Sequence, residues 1–230
     1  VWGIGFSMGF IGAVMGIGGG FLLVPNHISW VDALILQLVC PRPIRYVIDQ
    51  EYYHKPILHP ILRAIGCIPI SKRQSHAAVR VAAEKLNEGE IVCVFPEGEL
   101  ERRGTLLRLQ RGYEVIARHA KAPVVPVWLD QLWGSIFSFQ GGKFFRKFPK
   151  RIRYPVTVAF GEPLEAKAAD VATVREVLPQ RHPARRGHRM RIGQRHAQQR
   201  IRAEATFVLG TVQVDQAAIE LGLVGSIHAL

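Results

Sequence analysis

From Phe21 to about Leu178, short apolar runs alternate with stretches of helical period. Phe21–Val24 is apolar throughout and closes on Pro25, which reads as a strand. Val31–Val39 reads as a short apolar helix, and Ile44–Ile48 and Cys67–Ile70 read as strands. Ala77–Leu86 has helical spacing, with Ser75 as its expected cap and Gly89 as its stop. Ile91–Phe95 is a continuous apolar run, the pattern of a strand buried on both faces. Arg108–Ala120 reads as a helix, and Val124–Leu129 and Val156–Phe160 as strands. Such alternation predicts an α/β fold, a sheet with helices on its faces.

The two ends break this pattern. Residues 1–24 carry no charge and eight Gly, with small residues spaced by four at Gly5/Gly9, Gly12/Gly16 and Gly16/Gly20. Such a segment could span a bilayer with close helix contacts, or be a buried Gly-rich core segment. The chain starts at Val1, without the charged n-region and cleavage site of a signal peptide, which fits a fragment. Residues 179–205 form an Arg-rich tail that cannot build a core by itself. Residues 206–230 turn apolar again, with no role legible in them. The expected division is therefore an apolar segment over 1–20, a folded domain over 21–178, and these two tail segments.

Charge narrows the partners. Of 230 residues, 30 are Lys or Arg and 18 are Asp or Glu, a net charge of +12. The excess favours anionic partners such as phosphorylated substrates, acidic lipid surfaces or nucleic acid. Cys40, Cys67 and Cys93 are an odd set with no C-x-x-C spacing, which argues against a disulfide scaffold.

Two short motifs carry candidate chemistry. In Asn26-His27-Ile28-Ser29-Trp30-Val31-Asp32, an imidazole stands just after a strand, with a carboxylate five residues on. Imidazole suits general-base work near neutral pH, and a carboxylate can fix its tautomer. On a regular helix the two would lie about 140° apart, so pairing requires His27 to sit in the turn before the helix. The same residues also fit a capping box, Ser29-x-x-Asp32, beside an ordinary loop histidine. The second motif, Phe95-Pro96-Glu97-Gly98, ends the buried run, where ligands of α/β sheets bind. Glu97 would accept from substrate hydroxyls and Gly98 would allow close approach. Arg102, Arg103, Arg108 and Arg111 follow and could neutralise a phosphate. A polar turn followed by a solvated basic face is the alternative.

In order along the chain stand Asn26–Asp32, Gly66–Arg73, Phe95–Gly98 and Val125–Val127, that is N-H-x-x-x-x-D, G-x-I-P-I-S-K-R, F-P-E-G and V-P-V. This ordered set resembles the glycerolipid acyltransferases, over about 21–178. The resemblance implies a mixed, mostly parallel sheet flanked by helices. It also implies transfer of a fatty acyl group from acyl-CoA or acyl-carrier protein to a hydroxyl of a lysophospholipid or lysophosphatidate. His27 would be the base and Asp32 its partner. Asn26, Pro96, Glu97, Gly98 and Lys72 or Arg73 would bind the acceptor. The Thr-Arg that often follows F-P-E-G in that family is Glu99-Leu100 here, so Arg102 or Arg103 would replace the phosphate-binding Arg. The departure brings the motif closer to domains that act on lysophospholipids. No cofactor or metal is implied; the thioester donor is a substrate.

Expected partners are thus a lysophospholipid acceptor, an acyl thioester donor and a membrane surface, at the cytoplasmic face of the inner membrane. Between Trp133 and Arg151, six aromatic residues interleave with five cations, a composition suited to headgroup depth. Nucleic acid ranks below membrane, although the Arg181–Arg202 tail supports a basic nucleic-acid binder as a rival reading. A second rival is a transporter fragment, because residues 12–25 look like a membrane segment of the TauE/SafE anion-exporter family. Gly5-x-Ser7-x-Gly9 lacks the preceding strand that a nucleophile elbow needs. His54, His59, His76 and His119 show no metal-ligand spacing.

Overall fold

The computed structural model describes residues 19–40, 42–71, 75–100, 106–130, 132, 138, 153–178, 201–208 and 211–214. Among the described residues, eight strands form one sheet: β1 (Phe21–Pro25), β2 (Ile44–Asp49), β3 (Ile68–Ile70), β4 (Ile91–Cys93), β5 (Val124–Asp130), β6 (Arg153–Phe160), β7 (Ile201–Val208) and β8 (Thr211–Val214), in the order β3-β2-β4-β1-β5-β6-β7-β8. The first five pair in parallel, and β5, β6, β7 and β8 pair antiparallel. The helices are α1 (Asp32–Val39), α2 (Gln50–Tyr53), α3 (His59–Ile65), α4 (Ser75–Asn87), α5 (Gly112–Ala120) and α6 (Val171–Val177).

The sheet is covered on both faces, and β1 shows why its sequence is apolar at every position. Phe21 and Leu23 enter one core with Ile35 and Leu36 of α1, and Leu62 of α3 packs against it. Leu22 and Val24 enter the other, with Ala82 and Leu86 of α4, Ile116 of α5 and Val174 of α6. Strands sandwiched between two helix layers lose the polar alternation that a half-exposed strand keeps. β1 lies inside the parallel region, between β4 and β5. Because β1 and β4 run parallel, Asn26–Asp32 and Phe95–Gly98 emerge side by side at one edge, beyond the carboxyl ends of their strands.

The mixed, mostly parallel sheet flanked by helices matches the expectation, and several differences are instructive. The helix expected over Arg108–Ala120 starts only at Gly112. Ahead of it, Leu107 N–H donates to Glu97 Oε2 at 2.9 Å and Gln110 N–H to the Pro96 carbonyl at 2.6 Å. These tertiary bonds hold 106–110 out of the helix. Ser75, expected as a cap, is the first residue of α4 itself. Gly89 ends that helix as expected, at φ +85°. The sequence pattern missed α2, α3 and α6, which are short. It also missed β7, which begins inside the expected basic tail and crosses its boundary at 205. Ile201, Ala203, Ala205 and Phe207 give β7 a period of two, and its backbone pairs with β6 along all eight positions. Residues 1–18 lie outside the described residues, and with them the apolar segment expected over 1–20 except Gly19 and Gly20.

Candidate active site

The site begins with Asn26, which extends the β1–β5 pairing by one side chain. Its Nδ2 donates to the Leu129 carbonyl at 3.0 Å, and its Oδ1 accepts the Leu129 N–H at 2.7 Å. The side-chain amide thus replaces a peptide unit where β1 turns away. Asn26 is 2% exposed, and through this pairing it braces the motif.

His27 then lies in the turn before α1, the placement that pairing with Asp32 requires. Its Nδ1 is 3.0 Å from Asp32 Oδ2. The same Oδ2 accepts the N–H of Ile28 at 2.7 Å and of Ser29 at 2.8 Å. Asp32 is fully buried and opens α1, where the helix dipole favours a negative charge. A carboxylate oxygen only accepts, so Nδ1 carries the proton and Nε2 keeps its lone pair. The His27 side chain is 22% exposed, and its ring stacks on Phe95 with centroids 4.1 Å apart. The capping-box reading holds in part: the acid reaches back to the Ser29 amide, while Ser29 Oγ meets the Val31 N–H at 3.4 Å.

Glu97 ties the second motif to the first. Its Oε1 accepts the His27 N–H at 2.8 Å, and its Oε2 accepts the Leu107 N–H. Glu97 is 3% exposed and Pro96 is buried. One carboxylate therefore holds the backbone of the candidate base and the strap over 106–110 together. Gly98 is exposed, with φ +69°, a conformation that favours glycine, and only Gln110 Cγ lies near the place of a Cβ, at 3.8 Å. Arg108 and Arg111 are exposed on or beside the strap. Lys72, Arg73, Arg102 and Arg103 lie outside the described residues. Within the aromatic and basic stretch, Ser138 is described, and it forms an antiparallel bridge with Ser29.

Cys93 ends β4 in the core beneath this loop. Burial pushes its thiol well above the ordinary value, and Cys40 and Asp32 add to the shift. It is a packed thiol with little thiolate character. Among the described residues, no group of three or more His, Cys, Asp or Glu could hold a metal ion. Sequence reasoning missed the Phe95 stack, the Leu107 amide and the Leu129 pairing. All three are contacts across long stretches of chain that no local spacing encodes.

An imidazole held by a buried carboxylate, at the carboxyl edge of a mixed sheet, is a geometry suited to acid–base chemistry in an α/β fold. The chain belongs to the acyltransferase family: the family model described as "Acyltransferase" matches residues 14–130. The chain is 28% identical to the 1-acyl-sn-glycerol-3-phosphate acyltransferase of Bacillus subtilis (strain 168) over 147 residues, 63% of this chain and 67% of that one. It is 26% identical to the enzyme of the same name from Limnanthes douglasii, over 62% of this chain and 50% of the relative. The fold resembles the crystal structure of the 1-acyl-sn-glycerophosphate (LPA) acyltransferase PlsC from Thermotoga maritima. That match has a TM-score of 0.52 and 26% identity, and it covers 69% of this chain and 63% of the other. The chain thus spans between half and about two thirds of these relatives.

Proposed function

We propose that the chain transfers a fatty acyl group from an acyl thioester to a hydroxyl of lysophosphatidate or a lysophospholipid. The observation that carries this reading is the His27–Asp32 pair, with Nε2 left free to act at the open edge of the sheet. Nε2 takes the proton of the acceptor hydroxyl as its oxygen attacks the thioester carbonyl carbon. The tetrahedral intermediate collapses with loss of the C–S bond. The thiolate of CoA or acyl-carrier protein then takes the proton from the imidazolium, and no acyl-enzyme forms. Asp32 stabilises that imidazolium without leaving its three donors.

Gly98 allows the acceptor headgroup to approach the backbone, and Glu97 accepts from its hydroxyls or acts only as the brace described above. Arg108, Arg102 or Arg103, and Lys72 or Arg73, neutralise the phosphate. The acceptor and the aromatic stretch support work at a membrane surface, at the cytoplasmic face of the inner membrane. Among the described residues, no helix is long and apolar enough to cross a membrane.

The test is a panel assay on the full chain in detergent. Labelled acyl-CoA and acyl-carrier protein are offered with lysophosphatidate and several lysophospholipids. Transfer to lysophosphatidate or a lysophospholipid is expected, and the panel ranks donor and acceptor. A folded chain that acylates none of them would overturn the proposal.

A further inference from the structure

The two faces of the sheet meet water differently. On one face, α4 carries the exposed pair Arg80–Glu84 at 3.7 Å, and Arg118 of α5 reaches from the surface to the buried Glu114 at 3.3 Å. On the other, α1 has no such pair. Its polar side chains turn inward: Asp32 is buried in the site, and Gln37 spends its amide on the backbone of Arg42 and Ile44, at 3.2 and 3.0 Å. What α1 presents outward is Leu34 and Leu38, 51% and 44% exposed. A helix apolar on every side is one that expects a second apolar neighbour. Nearby, Ile57, Ile61 and Ile65 repeat every fourth residue into and along α3, 84%, 55% and 41% exposed. Of nine exposed large apolar residues among those described, seven fall between Trp30 and Ile65.

The stripes are joined by aromatic contacts. Trp30, which lies just ahead of α1, sets its ring against Tyr52 of α2, with centroids 5.5 Å apart. Tyr53 meets His59, the first residue of α3, at 5.1 Å. Lys55 Nζ stands 4.3 Å over the Tyr52 ring, and Arg63 is exposed in the last turn of α3. Indole and phenol rings beside cations fit the headgroup layer, with isoleucine and leucine below them. Asp49 and Glu51 are exposed beside these cations, so the rings and the apolar stripes, and not net charge, favour the bilayer.

We propose that the outward sides of α1 and α3, with Trp30 and Tyr52 between them, form a docking surface for a phospholipid bilayer. Trp30 is three residues from His27, so docking sets the open edge of the sheet beside the lipid surface. The proposal gains its purpose from the reading that the acceptor is a membrane lipid, while the docking itself can be measured without catalysis.

The test uses the full chain with an environment-sensitive fluorophore on Ile61→Cys or, as a control on the opposite face, on Val115→Cys, which is 52% exposed. The native thiols are buried and leave the new one to react. Vesicles of phosphatidylcholine and phosphatidylglycerol carry a quencher in their acyl chains. The label at 61 is expected to be quenched several-fold more than the label at 115. Equal quenching at both sites, or none at 61, would overturn the proposal. So would a label at 61 that becomes shielded by rising protein concentration alone, because a second copy would then cover the face. In a second arm, Ile57→Glu with Ile61→Glu is expected to slow transfer to acceptors in vesicles by about tenfold or more, and to leave transfer to a water-soluble short-chain acceptor unchanged. Unchanged transfer on vesicles would count against the surface. Absence of transfer in the unsubstituted chain would sink the proposed activity and leave the quenching result standing.

Discussion

Asn26 shows how much one side chain can hold. It is buried, and its amide satisfies both backbone groups of Leu129. Asn26→Ala leaves that N–H and carbonyl without partners in the core, a loss of about 2 kcal/mol or more. Urea unfolding is expected to show it as a lower midpoint. The His27–Asp32 contact was legible at this scale, because a histidine and a carboxylate five residues apart can meet only if the histidine precedes the helix. The second job of Glu97 was not legible. Nothing in Phe95-Pro96-Glu97-Gly98 says that its carboxylate will find the amide of His27, 70 residues away.

At the scale of elements, two glycines at helix ends separate backbone conformation from packing. Gly66 caps α3 at φ +75°, and a Cβ there would run into the Arg45 guanidinium. Gly89 has φ +85° with open space around it. Gly89→Ala should cost about 1 kcal/mol, and Gly66→Ala visibly more, in the same unfolding assay. Arg45 also reaches Glu90, which pairs with Lys85 of α4 at 3.2 Å, so one acid links β2 and α4 at the foot of β4. The Arg45 hydrogen bond holds the Glu90 carboxyl below its ordinary value of 4.5, against some desolvation. The ionised form therefore favours the fold. Its contribution is complete above the ordinary value and fades as pH falls through the lower, folded one. Glu90→Gln is expected to flatten the fall of stability below about pH 4.5, as read by unfolding midpoints across pH.

The strands of the parallel sheet were legible at the same scale, because strands covered on both faces must be apolar without interruption. The short helices were not. α2 and α3 are four and seven residues long, too short for a period of 3.6 to declare itself. β7 and β8 were hidden by the neighbouring Arg-rich composition, although pairing with β6 asks only for a regular backbone.

The described part of the molecule is an α/β sheet with helices on both faces, most of its exposed large apolar residues on the face of α1 and α3, and the His27–Asp32 pair beyond the carboxyl end of β1. One core carries the three thiols, Cys40 after α1, Cys67 before β3 and Cys93 in β4. Burial raises all three, so none is activated. A thiol reagent is expected to find no reactive group in the folded chain and three after unfolding. Fast labelling of the native chain would show that this core opens.

The central claim is that His27, set by Asp32, removes the proton of the acceptor. The most direct measurement is the acyl-transfer rate of His27→Ala beside the unsubstituted chain, with near-UV circular dichroism confirming that both are folded. General-base catalysis predicts a fall of about 100-fold to 10,000-fold. A folded His27→Ala chain that transfers acyl groups at the original rate would contradict it.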